Sequence, residues 1–105
     1  MFVTSIFPPH ASKILAEIYV KTLKDLRSQL RDKGKEIIPN AIKATTAGIE
    51  VIGVWDIKEG KLEEFLAIEQ RFLTNYHDIE GYRYQMDVRF KVHEALDMIG
   101  IKMPE

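Results

Sequence analysis

From Tyr82 to Val92 the chain reads Tyr-Arg-Tyr-Gln-Met-Asp-Val-Arg-Phe-Lys-Val, with apolar side chains at every even position and charged or amide ones at every odd position. Only a β-strand, whose successive side chains point to opposite faces, sorts residues in this way. The polar set is Arg83, Gln85, Asp87, Arg89 and Lys91, with His93 at its end. Arg83 and Arg89 are suited to clamping a carboxylate or phosphate through paired N–H donors, and Asp87 would complete a substrate-binding face. His93 would give or take a proton near neutral pH, and Tyr84 is the second candidate proton carrier. Trp55, in the middle of another strand, could form the flat wall of a pocket for an aromatic ligand. Each has a plainer explanation. Charged side chains on an edge strand block edge-to-edge pairing, and aromatic residues at alternating positions are what a core needs.

Two further clusters carry less. Tyr76-His77-Asp78 with Glu80 offers a histidine and two carboxylates, but adjacent residues of a helix do not face one another and no second histidine stands at ligand spacing. His77 reads better as a cation at a helix C-terminus. His10 follows Pro8-Pro9 as an exposed loop histidine near the end of a strand. Glycine-rich phosphate loops, His-Glu-x-x-His, Gly-x-Ser-x-Gly and calcium loops are absent, so neither a metal nor an organic cofactor is expected.

Composition narrows the classes. A chain of 105 residues builds one hydrophobic core, hence one domain over residues 1–105. Its 46% apolar and 30% charged content is that of a globular protein, and a net charge of −1 argues against a nucleic-acid surface. The basic run Lys21, Lys24, Arg27, Arg31, Lys33 and Lys35 is broken by Asp25, Asp32 and Glu36, which makes it a solvated helix face. With no cysteine there is no disulfide, thiolate metal site or cysteine nucleophile. No segment has the run of ~20 apolar residues that a membrane span needs. The opening residues lack the basic stretch and long apolar run of a secretion signal, so a cytoplasmic protein is expected.

The elements that would position these groups follow from periodicity. Phe2–Phe7 is a strand stopped by Pro8-Pro9. Ile14, Leu15, Ile18, Tyr19, Leu23, Leu26 and Leu30 recur at helical spacing, predicting a helix over 11–33 that Gly34 breaks. In Lys35–Ala47 the spacing of Ile37, Ile38, Ala41, Ile42 and Thr45 favours a short helix; the rival is a strand over 42–46 hairpinned through Ala47-Gly48. Ile49–Ile57 is a strand with apolar residues on both faces: Val51, Trp55 and Ile57 against Ile52 and Val54. A second helix carries Leu62, Phe65, Leu66, Glu69, Phe72, Leu73 and Tyr76 on one stripe, with Glu63 and Glu64 in its first turn. The alternating strand then buries Tyr82, Tyr84, Met86, Val88, Phe90 and Val92, and His93–Gly100 forms one or two helical turns.

Two long helices cover one face of a small sheet, which leaves the far side of Ile49–Ile57 without a partner. Sheet-to-sheet pairing of two copies is the simplest cover, giving a homodimer or higher oligomer. The order strand, helix, strand, helix, strand resembles the ferredoxin-like dimeric α+β barrel superfamily, in particular its small uncharacterised members. Gly48-Ile49-Glu50-Val51 opens the middle strand of that likeness, and Glu94-Ala95-Leu96 through Ile99-Gly100 closes it. The second of the four usual strands is missing unless Lys35–Ala47 supplies it. The resemblance implies an α+β fold, an antiparallel sheet with helices on one face, and subunits joined through their sheets. Members include cofactor-free oxygenases, isomerases, haem-handling proteins and binding modules.

The expected role is therefore a homo-oligomeric binding or assembly module. The alternative is a cofactor-independent enzyme, of isomerase or monooxygenase type, acting on a small anionic or aromatic substrate beside residues 82–92. In it Arg83, Arg89, Asp87 and Trp55 would hold the substrate while His93 or Tyr84 moved a proton. Neither reading calls for nucleic acid or membrane.

Overall fold

Pro8 has no N–H to continue a strand and its φ is fixed near −65°, so the ladder that begins at Phe2 ends at Phe7 and the chain turns into a helix. A computed structural model of the protein describes residues 1–104. Its elements are β1 (Phe2–Phe7), α1 (Ser12–Lys33), β2 (Gly34–Thr45), β3 (Gly48–Ile57), α2 (Leu62–Thr74), β4 (Arg83–Asp87) and α3 (Val92–Met98), with a short 3-10 turn at Pro9–Ala11. The strands form one antiparallel sheet in the order β2-β3-β1-β4. This is an α+β fold with a four-stranded antiparallel sheet. None of the helices is long and apolar enough to cross a membrane.

Residues 35–47 are not the short helix that their apolar spacing favours. Residues 35–45 belong to a twelve-residue edge strand, longer than the rival strand reading as well, paired with β3 from Gly34↔Ile57 to Thr45↔Gly48, and Thr46-Ala47 form the turn after it. The periodicity is set aside because β-branched Ile37, Ile38, Ile42 and Thr45 fit a pleated surface and the neighbouring strand supplies a full ladder. Pro39 survives in the strand because the register shifts on either side of Ile38, and such irregularities leave a residue free of the ladder. Asn40 there takes a left-handed φ of 64°, which asparagine tolerates better than most residues. Gly53 on β3 makes room for it: a Cβ at that position would stand 2.8 Å from Asn40 Oδ1. The hairpin closes tightly, with Thr45 Oγ1 donating to the Gly48 carbonyl at 2.7 Å. Gly48 itself has φ 135°, and a Cβ on it would meet the Phe7 carbonyl at 2.6 Å.

The alternating segment is also shorter as a strand than its pattern suggests. β4 pairs only with β1, and that register runs out at Phe2↔Asp87. Past Asp87 there is no strand left to bond, so the alternation of residues 88–92 has no sheet to express it. Val88, Phe90 and Val92 are 49%, 61% and 61% exposed, which corrects the expectation that they join the core. Instead Lys91 reaches back to Asp56 at the end of β3, 2.9 Å away, and its backbone N–H donates to Glu94 Oε1 at 3.0 Å, capping α3. The earlier half of the pattern does hold: Tyr82, Tyr84 and Met86 pack on the core.

The register sorts the sheet into two faces. Met1, Val3, Val51, Trp55, Tyr84 and Met86 face the helices, and Phe65 of α2, fully buried, packs its ring 5.1 Å from that of Trp55. The opposite face is built from rows: Ile38, Val54, Phe2 and Asp87; Ala41, Ile52, Thr4 and Gln85; Lys43, Glu50, Ile6 and Arg83. α3 buries none of its residues. The chain measures 49 × 32 × 19 Å, and its radius of gyration, 15.7 Å, exceeds the ~13 Å of a compact domain of this length, as a helix standing clear of the body requires.

Candidate functional site

An amphipathic helix and an alternating strand pattern specify which side chains face inward, but not how far apart the layers stand. Here α1, α2 and the sheet enclose a cavity of about 530 Å3, within the ~300–1,000 Å3 of small-molecule pockets. Val3, Leu15, Leu23 and Val51 line it and are only partly buried. Ser12, Ala16, Pro39 and Ile42 also line it and are exposed, which places the mouth between the start of α1 and the bulged part of β2.

Aromatic rings form much of the wall. Tyr19, Phe72, Tyr76 and Tyr82 follow one another with centroids 5.9, 6.0 and 5.1 Å apart, and Trp55 stands on the sheet side. Asn40 Nδ2 donates to the Tyr19 hydroxyl at 2.8 Å, so the bulge in β2 fixes one of these rings. Burial pushes the Tyr82 phenol up to about 12 and the Tyr76 phenol higher still, so both stay neutral donors.

Three charged residues line the cavity: Arg27, Glu36 and Glu69. Arg27 donates to Glu36 at 3.3 Å, and Arg31 reaches the same carboxylate at 3.4 Å. Glu69 has no such partner among the described residues. It is 6% exposed, and burial, with a smaller contribution from the negative charge of Glu36, pushes its carboxyl up to about 7. A carboxyl poised there changes charge across neutral pH.

Of the six residues that the sequence puts forward as a site, Trp55 alone lines this cavity. Tyr84 lies on the helix-facing side, where its hydroxyl accepts from Gln70 Nε2 at 2.8 Å and lies 3.0 Å from His77 Nε2. Arg83 and Asp87 belong to the opposite face of the sheet, and Gln85 Nε2 donates to Asp87 there at 2.9 Å. Arg89 lies past the strand with its guanidinium 4.5 Å from the centre of the Phe2 ring, a cation–π contact. His93 is exposed in the first turn of α3. Tyr84 and His93 thus stand on separate elements, and Arg83 and Asp87 lie on the sheet face away from Tyr84. His77 lies past the end of α2 and stacks on Tyr84 with ring centres 5.7 Å apart. Among the described residues no three of His, Asp or Glu converge as a metal site.

Glu69 is the residue that the sequence displays without marking. It sits among Phe65, Leu66, Phe72 and Leu73 on the apolar stripe of α2, and an acid inside such a stripe is the signal that could have singled it out. Comparison with family models, curated proteins and solved structures finds no match to this chain.

Proposed function

We propose that the protein is a homo-oligomeric binding module that holds a small, largely apolar molecule between its sheet and its helices. The observation that carries this is the cavity itself: aromatic and aliphatic walls with a few polar groups are the composition of a small-molecule site. A wall of rings favours a flat or aromatic occupant. The strand order β2-β3-β1-β4 in a β-α-β-β-α-β chain supports the narrower reading of the fold as ferredoxin-like.

The oligomer in this reading is a pair of copies meeting through the open face of the sheet. Phe2, Ile52, Val54 and Ile38 form its apolar middle, and Lys43, Glu50, Arg83 and Asp87 supply both signs of charge at its ends. A two-fold axis brings such a patch onto itself with opposite charges able to meet. Sedimentation at micromolar concentration is expected to give a species of two chain masses, reverting to one in Val54→Lys with the melting temperature of the folded chain retained. A single-chain mass for the unaltered protein overturns the pairing.

Ligand binding is tested by following backbone and Trp55 indole resonances during titration with indole and 2-naphthol. Saturable shifts centred on Val3, Val51, Trp55 and Tyr82 are expected. Shifts confined to the outer face or to α3, or none at all, defeat the reading. The alternative, a cofactor-independent enzyme, draws support from one observation, the buried carboxyl of Glu69 lining the cavity at a pKa suited to proton transfer. In that case the proton carrier is Glu69, and not His93 or Tyr84.

A further inference from the structure

The charges in the cavity do not cancel. Arg27 is the one cation among its lining residues, and it is held by Glu36, which also takes Arg31. Arg27 Nε, one of the guanidinium donors that Glu36 does not take, is buried without a partner. That leaves Glu69, 6% exposed, with no counter-ion among the described residues and with Tyr19, Trp55, Phe72, Tyr76 and Tyr82 lining the same cavity. A buried acid without a partner stays neutral unless something brings it a positive charge or a donor. Aromatic faces are themselves weakly negative and attract cations. Both features disfavour the anionic ligand that the sequence suggests and favour its opposite.

We propose that the occupant of the cavity is a small organic cation, a protonated amine on an apolar or aromatic skeleton, whose ammonium group pairs with the Glu69 carboxylate within the ring of Tyr19, Trp55, Phe72, Tyr76 and Tyr82. This rests on the binding role proposed above and names its ligand class. The ammonium supplies the donor and the charge that the carboxyl lacks. Its skeleton fills the space lined by the half-buried Val3, Leu15, Leu23 and Val51. An alcohol of the same shape satisfies the second requirement alone, and a carboxylate meets like charge.

The ligand and the proton then compete for Glu69. The titratable groups that interact with its charge are Glu36 on β2, already paired with Arg27 of α1, Tyr76 beyond α2, and Tyr82 ahead of β4. Burial holds the Tyr76 and Tyr82 phenols above the ordinary tyrosine value, so neither gives up its proton between about pH 6 and about pH 8. Amine affinity should therefore rise over that interval as Glu69 loses its proton, while the amine stays charged.

The experiment uses the full chain and three matched probes, phenethylamine, 2-phenylethanol and 3-phenylpropanoate, with dissociation constants from calorimetry or resonance shifts. The amine is expected to bind about tenfold or more tightly than the alcohol, and the carboxylate more weakly than either. Glu69→Gln, checked for folding by circular dichroism, should erase the preference for the amine and keep the alcohol. Should that variant fail to fold, the unaltered protein still decides: amine affinity must strengthen from about pH 6 to about pH 8 while alcohol affinity stays level. Alcohol binding that equals amine binding, or an amine preference that survives the glutamine, overturns the ammonium inference and leaves the binding role standing. Failure of all three probes, together with indole and 2-naphthol, removes the binding role and the inference with it.

Discussion

The two faces of the sheet are made by alternate residues of the same strands, yet they meet opposite conditions. On the helix side Val3, Val51, Trp55, Tyr84 and Met86 look toward α1 and α2, with Phe65 packed on Trp55 at one end and a hollow of about 530 Å3 beside it. On the other side Phe2, Ile6, Ile52 and Val54 form a partly exposed apolar surface, edged by charge and crossed at one end by Arg89 and Lys91. The comparison teaches that apolar alternation assigns side chains to a side and no more. Whether that side becomes packed core, the wall of a cavity or a surface awaiting cover depends on what the rest of the chain sets against it. The two charged details mark the same contrast. Glu69 on the covered side has lost water and gained no partner, whereas Lys91 on the open side keeps water, and its hydrogen bond to Asp56 holds its pKa above the ordinary lysine value.

The sharpest way to break the comparison is to unpack the filled end of the covered face. Phe65→Ala removes a fully buried ring from against Trp55 and should cost about 3–5 kcal/mol by urea unfolding. A loss under ~1 kcal/mol would mean that this end is as loosely filled as the cavity.

Next comes the pH dependence of the covered face. Because the Glu69 carboxyl moves from 4.5 to about 7 on folding, the folded chain keeps a proton there that the unfolded chain gives up within that interval. Stability from this group is complete below the unfolded value and declines as pH rises through the folded one, by roughly 3 kcal/mol in all. Glu69→Gln should flatten the decline and make the variant the more stable form at about pH 8. Urea midpoints measured on both proteins from acid to weakly basic pH check it, and parallel curves would contradict it.

A smaller effect is expected at the bulge that shapes the mouth. Asn40→Ala loses the hydrogen bond to Tyr19 and places alanine at φ 64°, a change of about 1–2 kcal/mol. Asn40→Gly, which keeps the backbone comfortable, should lose less. If the two variants match, the side-chain bond and not the backbone decides that position.

The smallest effect belongs to the open face. Lys91→Ala removes an exposed ion pair with Asp56, and surface pairs of that kind contribute little. Its urea midpoint should be indistinguishable from that of the unaltered chain. A clear loss would show that residues 88–91 hold the end of the sheet more firmly than an exposed strap should.

Much of the layout can be read directly from the residues. The stop at Pro8-Pro9, the helical stripe that begins with Ile14, the end of that helix at Gly34 and the two-sided strand Ile49–Ile57 each rest on local chemistry, and the structure keeps them. Residues 35–47 could not be read in the same way, since their isoleucines fit either period and the choice was made by the ladder that β3 offers. The alternation of 82–92 misled for a related reason. Its side chains alternate to the end, but β1 supplies partners only as far as Asp87. The site was least legible of all. Arg83, Arg89 and His93 draw the eye because they stand together in sequence, while Glu69 hides among leucines and phenylalanines and meets Tyr82 and Trp55 only after the chain has folded back on itself.

The periodicities, and with them the sorting of side chains onto the faces of each helix and strand that forms, are local properties of the chain, because backbone geometry converts spacing into direction without help from distant residues. The strand over Gly34–Thr45, the end of β4, the hollow between the layers and the isolation of Glu69 arise from the packed fold. Those depend on the distance between elements and on which partners come within hydrogen-bonding reach, and such quantities exist only once residues far apart in the chain are brought together.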